Sequence, residues 1–240
     1  VRPISLLLGV GAIALVVVLY RVSRPEPYMP DPNSLAMQYH LAKETADAMF
    51  ERAKQDGNWE PVIAAYKYAL SLKPDSAEAH NDVGAAHYNK GMFLLAPPVE
   101  ENLRDYSPNP RDVVDYIRTR LDSVPAGKFA WSVPESVLEP LEAYVRTRGD
   151  VLYHSRREEW GFYEVVFITG ATREAFIQAE LEFRRALDLK PDYGPPYRNL
   201  SALYVMRGRT EDAIALLKEF VKREPQDRDA AHYLQQLERL

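Results

Sequence analysis

The sequence predicts a mainly α fold. An N-terminal transmembrane helix precedes an α-solenoid of about three stacked helix–turn–helix units with a capping helix, interrupted by a small inserted α or α+β subdomain. Three observations predict it. The 17 residues from Ile4 to Tyr20 carry no charge. A segment ending Ala-Leu-x-Leu-Lys-Pro-Asp occurs twice, and a looser form of it occurs a third time. One helical pattern, Ala77 to Gly91, reads as the front half of such a unit with no back half behind it.

The apolar stretch comes first. "ISLLLGVGAIALVVVLY" lies between Arg2 and Arg21, with Arg24 just beyond. As a helix, Pro3 to Val22 extends about 30 Å, the hydrocarbon thickness of a bilayer. Every face is apolar, which argues against a buried core helix. A cleaved signal peptide needs small residues at its end, but "LYRVSRPEPY" follows. Residues 1–22 are therefore expected to be a retained anchor, with Ile4, Leu7, Gly11, Leu15, Val18 and Tyr20 in the bilayer. The expected location is single-pass in a bacterial inner membrane. One arginine before the span and two after it leave the side of the soluble part open.

Composition narrows the function classes. The chain has 240 residues and a formal net charge of -5, which gives no electrostatic footprint for nucleic acid. It has no cysteine, so disulfides, zinc–thiolate sites, iron–sulfur clusters and thiol catalysis are excluded.

Residues 23–34 are rich in proline and read as a semi-extended linker. The linker ends in Asp31-Pro32-Asn33-Ser34, which supplies helix-capping residues. From Leu35 to Gln55 the apolar residues follow three- and four-residue steps, and Asp56-Gly57 ends the pattern. The repeats follow. Asp56 to Asp75 and Leu181 to Tyr193 share an aromatic, Ala-Leu and Leu-Lys-Pro-Asp, and Gly208 to Asp227 repeats the form. Pro191 and Pro225 stand 34 residues apart. Small residues let paired helices approach, and aromatics fill the spaces between pairs. Proline stops each second helix and turns the chain. One such pair cannot bury its apolar face alone, so pairs stack.

This pattern resembles the tetratricopeptide repeat family. The first unit, Lys43 to Ser76, carries Gly57 at the turn, then Trp59, Tyr66, Ala69 and Pro74. The last full unit, Gly194 to Asp227, carries Tyr197, Leu200, Tyr204, Gly208, Ala213, Leu217 and Pro225, and Arg228 to Leu240 reads as a closing helix. His80, Val83, Gly84, His87 and Gly91 take the family's first-helix positions in a second unit. Its second helix is supplied only at Arg173 to Pro191, by Phe176, Ala179, Phe183, Ala186 and Leu187. The expected divisions are thus 35–93 for the first part of the solenoid, 94–172 for the insertion and 173–240 for the second part. The insertion itself shows no repeat. It has helical patterns at Asn109 to Val124 and Pro134 to Arg148, and Val151 to Ser155 with Phe162 to Thr169 as either a hairpin or a bent helix.

The chemistry-bearing residues form no convergent set. His80 and His87 are seven apart, where a metal pair prefers four, and both hold positions used for core aromatics. There is no nucleophile elbow and no phosphate loop. Neither cofactor nor metal is expected, and no enzymatic activity, beyond a residual possibility in the insertion around His154, Glu158 and Tyr163. The resemblance implies a binding surface on the first helices. Its candidate partner-binding residues are Glu44, Asp47, Glu51, Lys54, Asn81, Ala85, Tyr88, Asn89, Arg198 and Ala202, with Val205 beside them. Acids stand in the first unit where a clamp for C-terminal carboxylates needs basic groups. The expected function is a membrane-anchored protein–protein interaction scaffold, assembly factor or accessory subunit of a membrane protein complex. Its partners would be other proteins and, through residues 3–22, the lipid bilayer. The alternatives are a membrane-bound chaperone or targeting receptor for client peptides, and an enzyme with its site in the insertion.

Overall fold

The computed structural model describes Asp31 and residues 34–95, 99–123, 127–148, 151–158 and 161–239. The expected anchor, with Ile4, Leu7, Gly11, Leu15, Val18 and Tyr20, lies outside the described residues, as does most of the linker. Among the described residues no helix is long and apolar enough to cross a membrane. The described residues up to Gln38 belong to one unit, and Tyr39–Leu240 form another. In the first unit Ser34 caps the opening helix, its Oγ accepting from the Met37 amide at 3.2 Å.

Three helix pairs and a closing helix make the solenoid. They are α1 (Leu35–Asp56) with α2 (Trp59–Leu72), α3 (Ala77–Leu94) with α6 (Gly170–Leu189), and α7 (Gly194–Met206) with α8 (Thr210–Arg223), followed by α9 (Arg228–Leu237). Gly57 holds the α1–α2 turn at φ 74°, and the Phe93 ring lies against its Cα. Trp59, Val62, Ile63 and Tyr66 of α2 then pack against Ala46 and Ala53 of α1 and Val83 and Ala86 of α3. Phe50 meets Trp59 edge-on at 5.2 Å.

The second pair is made of segments far apart in sequence. A Cβ on Gly84 would stand 2.6 Å from the Phe183 ring, and one on Gly91 would stand 2.4 Å from Phe176. Small residues seven apart on one face of α3 therefore let two α6 aromatics press against its backbone. At the open end Thr172 Oγ1 donates to the Leu94 carbonyl at 3.4 Å, so the two ends of the intervening segment meet. Phe176, Phe183 and Ala179 continue into the core of the third pair with Tyr197, Leu200, Leu203, Leu217 and Phe220. Tyr197 stacks on Phe220 at 4.2 Å.

Residues 95–169 form an α+β module: β1 (Val99–Asn102), α4 (Pro110–Ser123), β2 (Gly127–Pro134), a 3-10 turn, α5 (Leu138–Arg146), β3 (Val151–Arg157) and β4 (Phe162–Thr169). The sheet order is β1-β2-β4-β3. β1 and β2 run parallel, joined by the crossover helix that parallel strands require, and the other pairs are antiparallel. Strand residues alternate faces. Phe129, Trp131, Val133, Val165 and Phe167 pack on Val113, Ile117 and Leu121 of α4 and Leu141 of α5. The opposite face joins the solenoid. Ile168 enters the third-pair core with Leu152, and Val166 and His154 lie under Gly208 of the α7–α8 turn. Val151 to Ser155 therefore forms a hairpin strand rather than a bent helix. The long helix expected from Pro134 is instead a 3-10 turn followed by the shorter α5, starting at Leu138. α6 begins at Gly170 rather than Arg173, directly off β4. β1 and β2 were not foreseen.

The tight α3–α6 approach predicts that Gly84→Val costs about 1–3 kcal/mol through overpacking, read as a lower urea midpoint. An unchanged midpoint would mean that the Phe183 contact has slack. The meeting of Leu94 and Thr172 predicts that replacing residues 96–169 by a short turn leaves cooperative unfolding and helical circular dichroism intact. Loss of cooperativity would show that the solenoid needs the module.

Candidate functional site

The first helices α1, α3 and α7 are neighbours, and polar contacts join them side by side. Lys43 Nζ lies 3.2 Å from Asp47 on its own helix and 2.9 Å from Asp82 on α3. Tyr66 of α2 donates its hydroxyl to Asp47 at 2.7 Å. Asn81, next to Asp82, accepts from Asn199 of α7 at 2.9 Å. At the far end Arg198 reaches Asp227, the cap of α9, at 3.2 Å. Burial pulls the Lys43 ammonium down, but Asp82 and Asp47 outweigh it and hold it above the ordinary lysine range. Burial pushes the Asp82 carboxyl up against the pull of Lys43. Burial and the bond to Asp47 push the Tyr66 phenol up as well.

The candidate residues divide into groups on this surface. Asp47, Asn81 and Arg198 belong to the polar row, and Asn81 is buried in it. Ala85, Tyr88 and Val205 are half-buried against the third-pair core, Tyr88 stacking on Phe176 at 5.8 Å. Ala202 is half-buried beside them on α7, and Asn89 turns back to the Ala85 carbonyl at 2.8 Å. Glu44, Glu51 and Lys54 are exposed on α1. Glu44 pairs with His40 at 3.2 Å and Glu51 with Lys54 at 2.6 Å. Glu44 also borders a shallow surface hollow with Leu41, Thr45, Ala48, Met49 and Arg52. Sequence reading missed Lys43, Tyr66, Asp82, Asn199 and Asp227. Only the four-residue spacing of Lys43 and Asp47 signalled any of them locally.

His87 is 7% exposed, and neither ring nitrogen has a hydrogen-bond partner among the described residues. Burial and the nearby Lys67 and Lys90 ammonium groups lower its pKa to about 4. His80 contacts Glu182 at 2.6 Å and the Pro74 carbonyl at 3.1 Å. Both histidines are packing elements of the second pair. Among the described residues no three His, Asp or Glu side chains group as a metal site.

The inserted sheet carries an open cleft of about 330 Å³, bordered by Glu101, Asn102, Arg104, Trp131, Ser132, Glu158 and Glu164. Arg104 donates to Ser132 at 2.8 Å and to Glu158 at 2.9 Å, and Ser132 also donates to Glu158. Burial raises the Glu158 carboxyl, but these partners outweigh it and hold it below the usual carboxylate range. Tyr116, Arg120 and Trp131 do the same for Glu101. These acids are ionised, paired and poor bases. His154 lies beneath the α7–α8 turn, and Tyr163 packs on the helical side of the sheet, so neither converges with Glu158.

Stacked helix pairs with polar first-helix faces define a repeat solenoid. Residues 54–91 match a TPR repeat model and residues 172–237 match a tetratricopeptide repeat model. These two segments carry tetratricopeptide repeats, and such repeats suggest a protein–protein interaction scaffold. Similar solved structures include a thermophilic TPR protein of Thermus thermophilus, at 14% identity over 88% of this chain and 84% of that one, with a TM-score of 0.33. The MamA protein aligns at 14% identity over 79% and 76%, TM-score 0.22. Pseudomonas aeruginosa pilF aligns at 14% identity over 83% and 69%, TM-score 0.25. No curated protein sequence matches the chain.

His87 generates a pH prediction. The unfolded imidazole binds a proton below about pH 6.5, the folded one only below about 4. Protons therefore favour unfolding in that window, and stability falls as pH drops from 6.5 towards 4 by up to about 3 kcal/mol. His87→Phe should remove this share. Urea midpoints of the two chains should diverge with rising acidity, and parallel pH profiles would contradict the assignment.

Proposed function

We propose that the chain is a membrane-tethered scaffold that holds a partner protein on its first-helix face, as an assembly factor or accessory subunit of a membrane complex. The bacterial inner membrane is the proposed location. The uncharged stretch from Ile4 to Tyr20 supports the tether. Tethering raises the effective concentration of the repeats for partners in the same bilayer.

One observation carries the binding mode: Lys43 and Arg198 of the first-helix face are already paired. Lys43 is held by Asp47 and Asp82, and Arg198 by Asp227. A C-terminal carboxylate would have to break these pairs to be gripped. The half-buried strip of Ala85, Tyr88, Ala202 and Val205 instead suits an internal, apolar-centred segment of the partner. This favours a stable subunit contact over a receptor for carboxylate tails.

Purification from native membranes in mild detergent should co-purify a membrane partner, identified by crosslinking and mass spectrometry. Ala202→Arg should reduce its recovery about tenfold or more while leaving the unfolding midpoint nearly unchanged. Recovery of the chain alone in several detergents would overturn the proposal.

A further inference from the structure

β3 ends the sheet, with β4 on one side and, among the described residues, no strand on the other. Its hydrogen-bonding phase follows from the hairpin. The Glu158 amide donates to the Phe162 carbonyl at 2.8 Å, making these two a hydrogen-bonded pair. Such pairs alternate along an antiparallel ladder. With the observed register, Leu152, His154 and Arg156 therefore turn their backbone groups towards Ile168, Val166 and Glu164. Val151, Tyr153, Ser155 and Arg157 turn theirs outwards, where no described backbone group bonds to them. Seven residues of strand thus leave an open edge about 23 Å long.

Proteins blunt such edges with charge, and the unpaired charge here is that of Arg157. Arg157 is exposed, with no ion-pair partner among the described residues. Arg156 precedes it and pairs with Glu164 at 3.3 Å, and Arg146 stands exposed at the end of α5 with Glu142 at 3.8 Å. The nearest acid in sequence, Glu158, is committed to Arg104 and Ser132. Two copies of this edge would bring two unpaired Arg157 side chains onto one ladder, which disfavours self-pairing.

We infer that the open edge of β3 is a second docking site, which takes an extended acidic segment of a partner protein as a fifth strand of the sheet. Backbone bonds supply the attachment, and Arg157 selects for an acidic side chain. The site is separate from the first-helix face and does not depend on it.

Two seven-residue peptides test this, one alternating valine with glutamate and one alternating valine with lysine. Each is added to the full chain in nonionic detergent, and amide hydrogen exchange is followed residue by residue. The glutamate peptide should slow exchange at Tyr153, Ser155 and Arg157 about tenfold or more, and the lysine peptide should not. Ser155→Pro removes one outward donor without breaking a ladder bond, and should abolish protection at Tyr153 and Arg157. Arg157→Glu should shift the preference towards the lysine peptide, and it decides the matter if Ser155→Pro loses the slow exchange of Val165. Ala202→Arg should leave the β3 response unchanged, so failure of the first-helix reading and failure of this one are distinguishable. Equal protection by both peptides, protection by neither, or an undiminished response with Arg157→Glu would overturn the inference.

Discussion

The structure depends on the seam between α3 and α6. Gly84 and Gly91 leave bare backbone on one face of α3, and the rings of Phe183 and Phe176 fill that space. Each buried ring contributes about 1.5–3 kcal/mol of apolar burial, but the position of the seam matters more than its size. α3 gives one side to the α1–α2 core and the other to α6, which carries the third pair. Opening the seam would leave two fragments of a solenoid, each with an uncovered apolar face. Helix-interior glycine is normally unfavourable by up to about 1 kcal/mol relative to alanine, and here the close approach offsets that cost.

The seam also separates two kinds of surface. On the solenoid, the polar row from Asp47 to Asn199 joins one helix to the next, and an apolar strip beside it is half-buried. On the module, Glu158 and Glu101 of the cleft are paired with arginines, while the outer backbone edge of β3 has no strand beside it among the described residues. The solenoid thus offers side chains and the module offers main chain, so the two surfaces suit partner segments of different conformation.

Much of this was legible before any coordinates. Gly84, Gly91, Phe183 and Pro191 stand at repeat spacing, and repetition is a signal that survives interruption. The β-branched and aromatic runs of β3 and β4 allowed either a hairpin or a bent helix, and the hairpin is what forms. β2 was missed although Phe129, Trp131 and Val133 alternate, because an eight-residue run between two helical patterns is easily read as a loop. β1, Val-Glu-Glu-Asn, has no strand signature; pairing with β2 imposes its conformation. The first-helix row was half legible. Asn81 and Arg198 stood at lining positions, but Asn199 is 118 residues from Asn81, and no local spacing announces such a partner.

The adjacency of Leu94 and Thr172 has a consequence for synthesis. The 75 residues between α3 and α6 leave the ribosome over roughly 4–15 s at 5–20 residues per second. Through that interval α3 exists without the rings that cover Gly84 and Gly91. The module has its own core on Trp131 and Phe167, and β4 runs straight into α6 at Gly170. A sheet that closes first therefore delivers α6 to a nearby partner rather than leaving it to search at the end of a long loose chain. The same segment that delays the second repeat then brings α6 back beside α3.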